Sequence, residues 1–162
     1  MCAALCIVRA HRCLTPRTTT VLLPDVNVLL AAFRSDHDHH RPARAFLERA
    51  RASSEVLGLS DVAVAGVVRL ATNVRVFVRP DNAEAVLDYL DALLDPPAQL
   101  VRAGATHWPR FADLCRTLAL RGNLVPDAYL AALALEQGAQ LITLDRGFGR
   151  YPGLRWRCLL DA

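Results

Sequence analysis

Short apolar runs alternate with longer segments of helical periodicity along residues 21–162. The apolar runs predict strands at 21–24, 56–59, 98–103 and 139–144, with a fifth candidate at 155–160. The segments between them predict helices at 26–33, 43–51, 60–72, 80–94, 106–120 and 126–137. Strands that alternate with helices are typical of an α/β domain with a parallel sheet. We therefore predict an α/β fold with a central, mostly parallel sheet of about five strands flanked by helices.

Residues 1–20 match none of these patterns. We expect them to form a disordered N-terminal extension or an extra strand, and we place the folded domain at 21–162. The chain has five cysteines, an odd number that are widely spaced and form no CxxC pair. This usage disfavours a disulfide framework and predicts a reducing, cytoplasmic location.

The composition fits one globular domain, because 53% of the 162 residues are hydrophobic and 22% are charged. The net charge is +3, and Arg9, Arg12 and Arg17 account for all of that excess. The rest of the chain is neutral, which disfavours a protein that coats nucleic acid through charge alone. All 19 basic residues are arginines, so chemistry that requires lysine is excluded. No apolar stretch is long enough to predict a transmembrane helix.

Aspartates cluster where the predicted strands end. Asp25, Asp61 and Asp145 follow the first, second and fourth strands, and Asp127 begins the helix that leads into the fourth. In an open parallel sheet, ligands bind outside the carboxyl ends of the strands. Each acid alone also fits a helix cap or a first-turn position. Together they would repel one another, and Mg²⁺ or Mn²⁺ prefers such oxygen ligands.

Two other polar sets favour structural roles. The acids at 81, 84, 88, 91 and 95 recur on one face of a predicted helix, as expected for a solvated surface. His37, His39 and His40 lie in a predicted loop without the helical spacing of a zinc site, which favours a surface or capping role.

Three segments, at 22–33, 59–77 and 122–156, resemble the three sequence blocks of PIN-domain ribonucleases. The motifs that carry the resemblance are PDVNVLL, PDAYLAALA and TLDRGF. More narrowly, the chain resembles the VapC-type toxins of bacterial toxin–antitoxin systems. The resemblance implies a PIN fold and an endoribonuclease activity that depends on Mg²⁺ or Mn²⁺. It also implies a VapB-type antitoxin as partner, RNA as substrate and a homodimer.

The same resemblance assigns roles to individual residues. Asp25, Asp127 and Asp145 match the acids that bind the metal and carry catalysis, while Asn27 and Thr143 match the polar residues that support them.

This chain departs from the family pattern at two positions. Gly66 stands where the middle block usually has a glutamate, and Gly147 replaces the second acid of the last block. Asp61 is the candidate replacement for the missing glutamate, because it could bind the metal directly or through a water molecule. The alternative is that Asp61 only stabilises its helix. Arg69, Arg75, Arg146 and Arg150 are candidates for phosphate contacts or plain solvated charges.

The missing acids leave a second hypothesis open, a catalytically weak PIN-fold module that binds RNA or an antitoxin. The neutral charge of the domain also leaves a DNA nuclease of the same fold as a third hypothesis.

Overall fold

The computed structural model describes residues 20–161, so the expectation for the N-terminal extension lies outside the described residues apart from Thr20. The strands are β1 (Val21–Pro24), β2 (Val56–Ser60), β3 (Gln99–Val101), β4 (Gln140–Thr143) and β5 (Trp156–Cys158). The helices are α1 (Val26–Phe33), α2 (His40–Ala52), α3 (Asp61–Ala71), α4 (Ala83–Leu94), α5 (His107–Thr117) and α6 (Leu124–Gln137). A short 3₁₀ helix spans Arg146–Arg150. Within this range, no helix has the length and apolar character needed to cross a membrane.

The five strands form one parallel sheet in the order β3-β2-β1-β4-β5, which confirms the predicted fold class. Along the chain, β2 and β3 are added on one side of β1, and β4 and β5 are then added on its other side. The point where the strand order reverses is therefore between β1 and β4. In open α/β sheets this is where a crevice forms at the carboxyl ends of the strands.

Alternating side chains of the strands build a core on each face of the sheet. Leu22 is buried with residues of α1 to α4, whereas its neighbour Leu23 is buried with residues of α5 and α6. In the same way Ile142 faces the first set of helices and Leu141 faces the second. This period of two follows from the pleat of a strand. Because helices cover both faces, the central strands β1, β2 and β4 consist mostly of apolar residues.

Two helices begin earlier than predicted, and α4 begins later, at Ala83 instead of 80. α2 begins at His40 instead of 43, and α6 begins at Leu124 instead of 126. In both helices, as in α5, a proline is the third helical residue: Pro42, Pro109 and Pro126. The first turn of a helix has backbone N–H groups without intrahelical partners, so a proline there removes no hydrogen bond.

His40 Nδ1 lies 3.0 Å from the carbonyl oxygen of Ala31, which supports a structural role for this histidine.

Arg34 fixes the loop between α3 and α4 to the end of α1. Its guanidinium donates to both carboxylate oxygens of Asp36, at 3.0 and 2.7 Å, and also to Asp81 and to the carbonyl of Arg79. It lies over the ring of Phe77, 3.8 Å from the centroid, and is only 8% exposed. Asp81 therefore belongs to this cluster and not to the solvated acidic face of α4 predicted from its spacing. We call this group the Arg34 cluster.

Candidate metal centre

The ends of β1 and β4 place Asp25 against Thr143. Asp25 caps α1, and its Oδ1 accepts a hydrogen bond of 2.6 Å from the backbone N–H of Val26. The Thr143 hydroxyl donates to Asp25 Oδ2 at 3.0 Å. The Asp25 backbone N–H donates to the carbonyl of Ile142 at 2.8 Å, which extends the pairing of the two strands by one residue. The carboxylate is consequently fixed at the strand-order reversal and is only 5% exposed.

Asn27 holds the end of β4 from the first turn of α1. Its Nδ2 donates to the Thr143 hydroxyl at 3.2 Å, and its Oδ1 accepts from the backbone N–H of Leu144 at 3.1 Å. The Thr143 hydroxyl also accepts from the backbone N–H of Asp145 at 3.0 Å. These bonds connect Asp25, Asn27 and the residue that precedes the 3₁₀ helix through one fully buried hydroxyl.

Asp127 reaches the same cleft from α6. It lies in the first turn of that helix and lines a cleft of about 360 Å³ together with Asp25. The other wall comes from α3 and includes Gly66 and Arg69. A Cβ atom on Gly66 would lie 3.0 Å from Val26 Cγ2, so the glycine allows α3 to approach α1 closely.

Asp145 stands at the exposed rim, as the cap of the 3₁₀ helix. Its Oδ1 accepts from the backbone N–H of Gly147 at 2.7 Å. Tyr151 follows this helix, is buried, and donates to the carbonyl of Leu124 at 3.2 Å, which ties the rim to the start of α6. No pattern in the sequence predicts this contact, because Tyr151 and Leu124 are 27 residues apart.

The cleft concentrates negative charge. Burial raises the pKa of Asp25 to about 7, and the charges of Asp127 and Asp145 add to that shift. Burial also raises the pKa of Asp127, again with a contribution from Asp145. Among residues 20–161, neither Asp25 nor Asp127 forms a salt bridge. A cation bound between them would therefore offset both the desolvation and the repulsion.

These residues fit a hard divalent cation that keeps some of its water ligands. Within the described part of the chain, no three His, Cys, Asp or Glu side chains converge closely enough to enclose an ion. Mg²⁺ usually retains several waters and is bound by one or two carboxylates together with substrate phosphates. Two carboxylates in the cleft and a third at its rim meet that requirement with oxygen donors alone.

The other candidates from the sequence lie in different places. Asp61 is the first residue of α3, where its Oδ1 accepts from the backbone N–H of Val62 at 2.8 Å, and it is not among the residues that line the cleft. Arg69 lines the cleft, whereas Arg146 pairs with Asp161 at 2.7 Å. Arg75 is exposed in the loop after α3.

The raised pKa of Asp25 predicts a pH-dependent stability of the metal-free protein. The folded protein keeps a proton that the unfolded chain, with an ordinary pKa of 3.8, has lost. This contribution is complete below about pH 4 and is lost as the pH rises through about 7, by up to about 1.4 kcal/mol per pH unit. Urea unfolding in EDTA at several pH values should show this decline, and Asp25→Asn should flatten it. A matched change of the exposed acid Asp88 to Asn should leave the slope as in the wild type; equal slopes for all three proteins would contradict the assignment.

Comparisons with known proteins place this chain in a family. The PIN domain model matches residues 22–154. Ribonuclease VapC43 of Mycobacterium tuberculosis (strain ATCC 25618 / H37Rv) is 44% identical over 143 residues, which cover 88% of this chain and 97% of that protein. Ribonuclease VapC37 of the same strain is 38% identical over 133 residues, covering 82% of this chain and 92% of that protein.

Solved structures agree on the fold. The crystal structure of VapBC2 from Rickettsia felis, bound to a DNA fragment from the promoter, matches with a TM-score of 0.67 at 18% identity. The match covers 86% of this chain and 98% of the solved chain. Taken with the family model and the relatives above, this shows that the chain belongs to the PIN-domain family and, within it, to the VapC ribonucleases.

Proposed function

We propose that this VapC-family chain is the endoribonuclease toxin of a VapBC-type system and that it hydrolyses RNA with Mg²⁺ or Mn²⁺ held by Asp25, Asp127 and Asp145. The observation that carries the proposal is the buried carboxylate of Asp25, which shares a cleft with Asp127 and has no salt-bridge partner among the described residues. The names of the relatives, which are ribonucleases, support RNA as the substrate.

A bound divalent ion supplies a water of lowered pKa and offsets the charge that develops on the reacting phosphate. Asp25 at the end of β1 and Asp127 on α6 would hold the ion, and Asp145 would bind it or orient the water at the rim. Asn27 and Thr143 act as positioning residues, because their hydrogen bonds set the direction of the Asp25 carboxylate. Partners of this kind contribute about 10-fold to 100-fold to metal affinity or activity.

The partner in this proposal is a VapB-type antitoxin, and the active form is a homodimer. The negatively charged cleft suits an inserted arginine from the antitoxin, since a guanidinium pairs with carboxylates through two parallel hydrogen bonds. The similar solved structures include complexes named VapBC, which supports an antitoxin of this class. Expression of this toxin alone should arrest growth, and co-expression of its cognate VapB-type antitoxin should relieve that arrest. A structure of the complex with no basic antitoxin residue near Asp25 would exclude this mode of inhibition.

Incubation of the purified protein with total cellular RNA tests the activity directly. Cleavage is expected with Mg²⁺ or Mn²⁺ and should stop in EDTA. Single-stranded DNA of matched length serves as the control substrate. RNA that is bound but not cut with either ion would instead favour a catalytically weak binding module. That alternative arises because the family's acids are missing at Gly66 and Gly147.

For Asp61 we propose the helix-stabilising role. Its hydrogen bond to the first turn of its own helix supports this, as does its absence from the cleft lining. Asp61→Asn should leave the metal concentration for half-maximal cleavage unchanged and lower the free energy of unfolding by about 0.3–1 kcal/mol, the usual first-turn charge effect. Metal titration of cleavage, with denaturation of the metal-free protein, measures both quantities. A raised metal requirement with unchanged stability would instead make Asp61 a ligand.

A further inference from the structure

Arg150 ends the 3₁₀ helix beside the carboxylates of the candidate metal centre. Its Nε donates to the carbonyl of Gly147 at 2.8 Å, which anchors the guanidinium and leaves its two terminal amino groups for other partners. Among residues 20–161, Arg150 forms no salt bridge, and it is exposed.

Gly147 leaves room for this arrangement. A Cβ atom at position 147 would lie 3.0 Å from Arg150 Nη2 and 2.9 Å from Asp145 Oδ1. The guanidinium therefore occupies the space next to Asp145 that a side chain at 147 would enter. An acid at this position would meet Arg150 directly and pair with it, whereas glycine leaves the guanidinium uncommitted.

The neighbouring Arg146 provides the contrast. It belongs to the same 3₁₀ helix, but its Nε donates to Asp161 Oδ1 at 2.8 Å, and its Nη2 forms an ion pair with the same oxygen at 2.7 Å. Its charge is thus already neutralised within the protein. Two arginines four residues apart on one short helix consequently differ in whether a carboxylate partner holds them.

We propose that Arg150 binds a backbone phosphate of the RNA at the rim of the candidate metal centre, next to Asp145. The inference rests on the proposed function, since it concerns the substrate of that site. A phosphate that approaches three carboxylates is repelled, and a guanidinium at the same rim offsets part of that repulsion. The planar fork of an arginine also matches two phosphate oxygens at once, which fixes the orientation of the bound strand.

Binding of RNA in EDTA tests this contact without the metal and without cleavage. The probe is a short fluorescein-labelled single-stranded RNA of random sequence, and its affinity is measured by anisotropy over a series of salt concentrations. Loss of one phosphate contact lowers the slope of log affinity against log salt by about 0.7 for single strands. Arg150→Gln should show this loss, and Arg146→Gln, the matched control, should keep the wild-type slope.

Position 147 gives an independent test that keeps Arg150 in place. Gly147→Asp should pair with the guanidinium and lower the slope about as much as Arg150→Gln does, whereas Gly147→Ala should not. Both side chains that a new Cβ would meet end in flexible groups, so the protein can accommodate the change. Equal slopes for the wild type and Arg150→Gln, or an equal loss in Arg146→Gln, would overturn the proposal.

Cleavage with Mn²⁺ separates this proposal from the function on which it rests. Arg150→Gln is expected to lower kcat/KM about 10-fold to 100-fold, the range for a hydrogen bond to a charged group. If the wild type cuts no RNA with either ion, the proposed function fails. If the wild type cuts RNA but Arg150→Gln keeps the wild-type salt slope, the proposed function stands and the contact with Arg150 is wrong.

Discussion

Asp127→Asn and Asp25→Asn should each reduce RNA cleavage by more than about 100-fold. Losing a residue that only supports a metal ligand costs up to about 100-fold, and these two residues are proposed as ligands themselves. Each change removes a negative oxygen ligand and keeps the shape of the side chain. The protein should stay folded, because burial and the charges of neighbouring carboxylates raise the pKa of both Asp25 and Asp127. A neutral amide removes that unfavourable charge from the metal-free protein.

Cleavage rates over a range of Mn²⁺ concentrations, with thermal unfolding of each variant, measure the two effects together. Asp88→Asn is the matched control, since Asp88 is an exposed acid on α4, and it should cut RNA at the wild-type rate. If a folded Asp127→Asn variant kept the wild-type cleavage rate, Asp127 would not be a metal ligand. Asp25 would then have no second carboxylate ligand in the cleft.

Arg34→Ala should lower the free energy of unfolding by about 2–3 kcal/mol. Removing one partner of a fully buried ion pair costs about 3–5 kcal/mol. We expect a smaller loss here because Asp36, one of the two acidic partners, is exposed. The change leaves the partly buried Asp81 and the ring of Phe77 without the guanidinium that connects them. The loop between α3 and α4 should loosen first, which hydrogen exchange of residues 73–82 can detect.

Two variants calibrate this loss. Arg44→Ala breaks the exposed pair of Arg44 with Glu48 and should cost no more than about 0.5 kcal/mol, the usual value for such a helix pair. Arg34→Lys keeps the charge without the two parallel hydrogen bonds to Asp36, so an intermediate loss is expected. Equal stability of Arg34→Ala and Arg44→Ala would show that the Arg34 cluster contributes no more than a surface pair.

Local patterns were sufficient to predict the fold, because burial on both faces makes the central strands β1, β2 and β4 mostly apolar. β1 and β4 lie where their apolar residues predicted, to within one residue at each end. The edge strand β3 is shorter than predicted, at Gln99–Val101, since only part of the apolar segment pairs with β2. Helix starts were less accurate, because a proline tolerated anywhere in the first turn does not fix which residue comes first.

Long-range contacts could not be read from the sequence. The position of Asp25 after an apolar run placed it at the edge of the sheet, but its partner Thr143 is 118 residues away. Resemblance to a family named Thr143 as a supporting residue, but neither the resemblance nor the periodicity predicted its hydrogen bond to Asp25. Nothing in the local pattern separates Asp81, which Arg34 binds from 47 residues away, from the other acids of its helix face. Arg146 and Arg150 likewise differ only through Asp161, an acid near the end of the chain.

The strand order also governs when the candidate site comes into existence during protein synthesis. Asp25 is translated early, whereas Asp127, Asp145 and the hydroxyl that orients Asp25 all belong to the last quarter of the chain. A nascent chain that has emerged only as far as α5 has its first three strands but lacks one wall of the cleft. Such a polypeptide lacks two of the three carboxylates of the proposed metal site, so under the proposed function it would begin to cleave RNA only after β4 has joined β1.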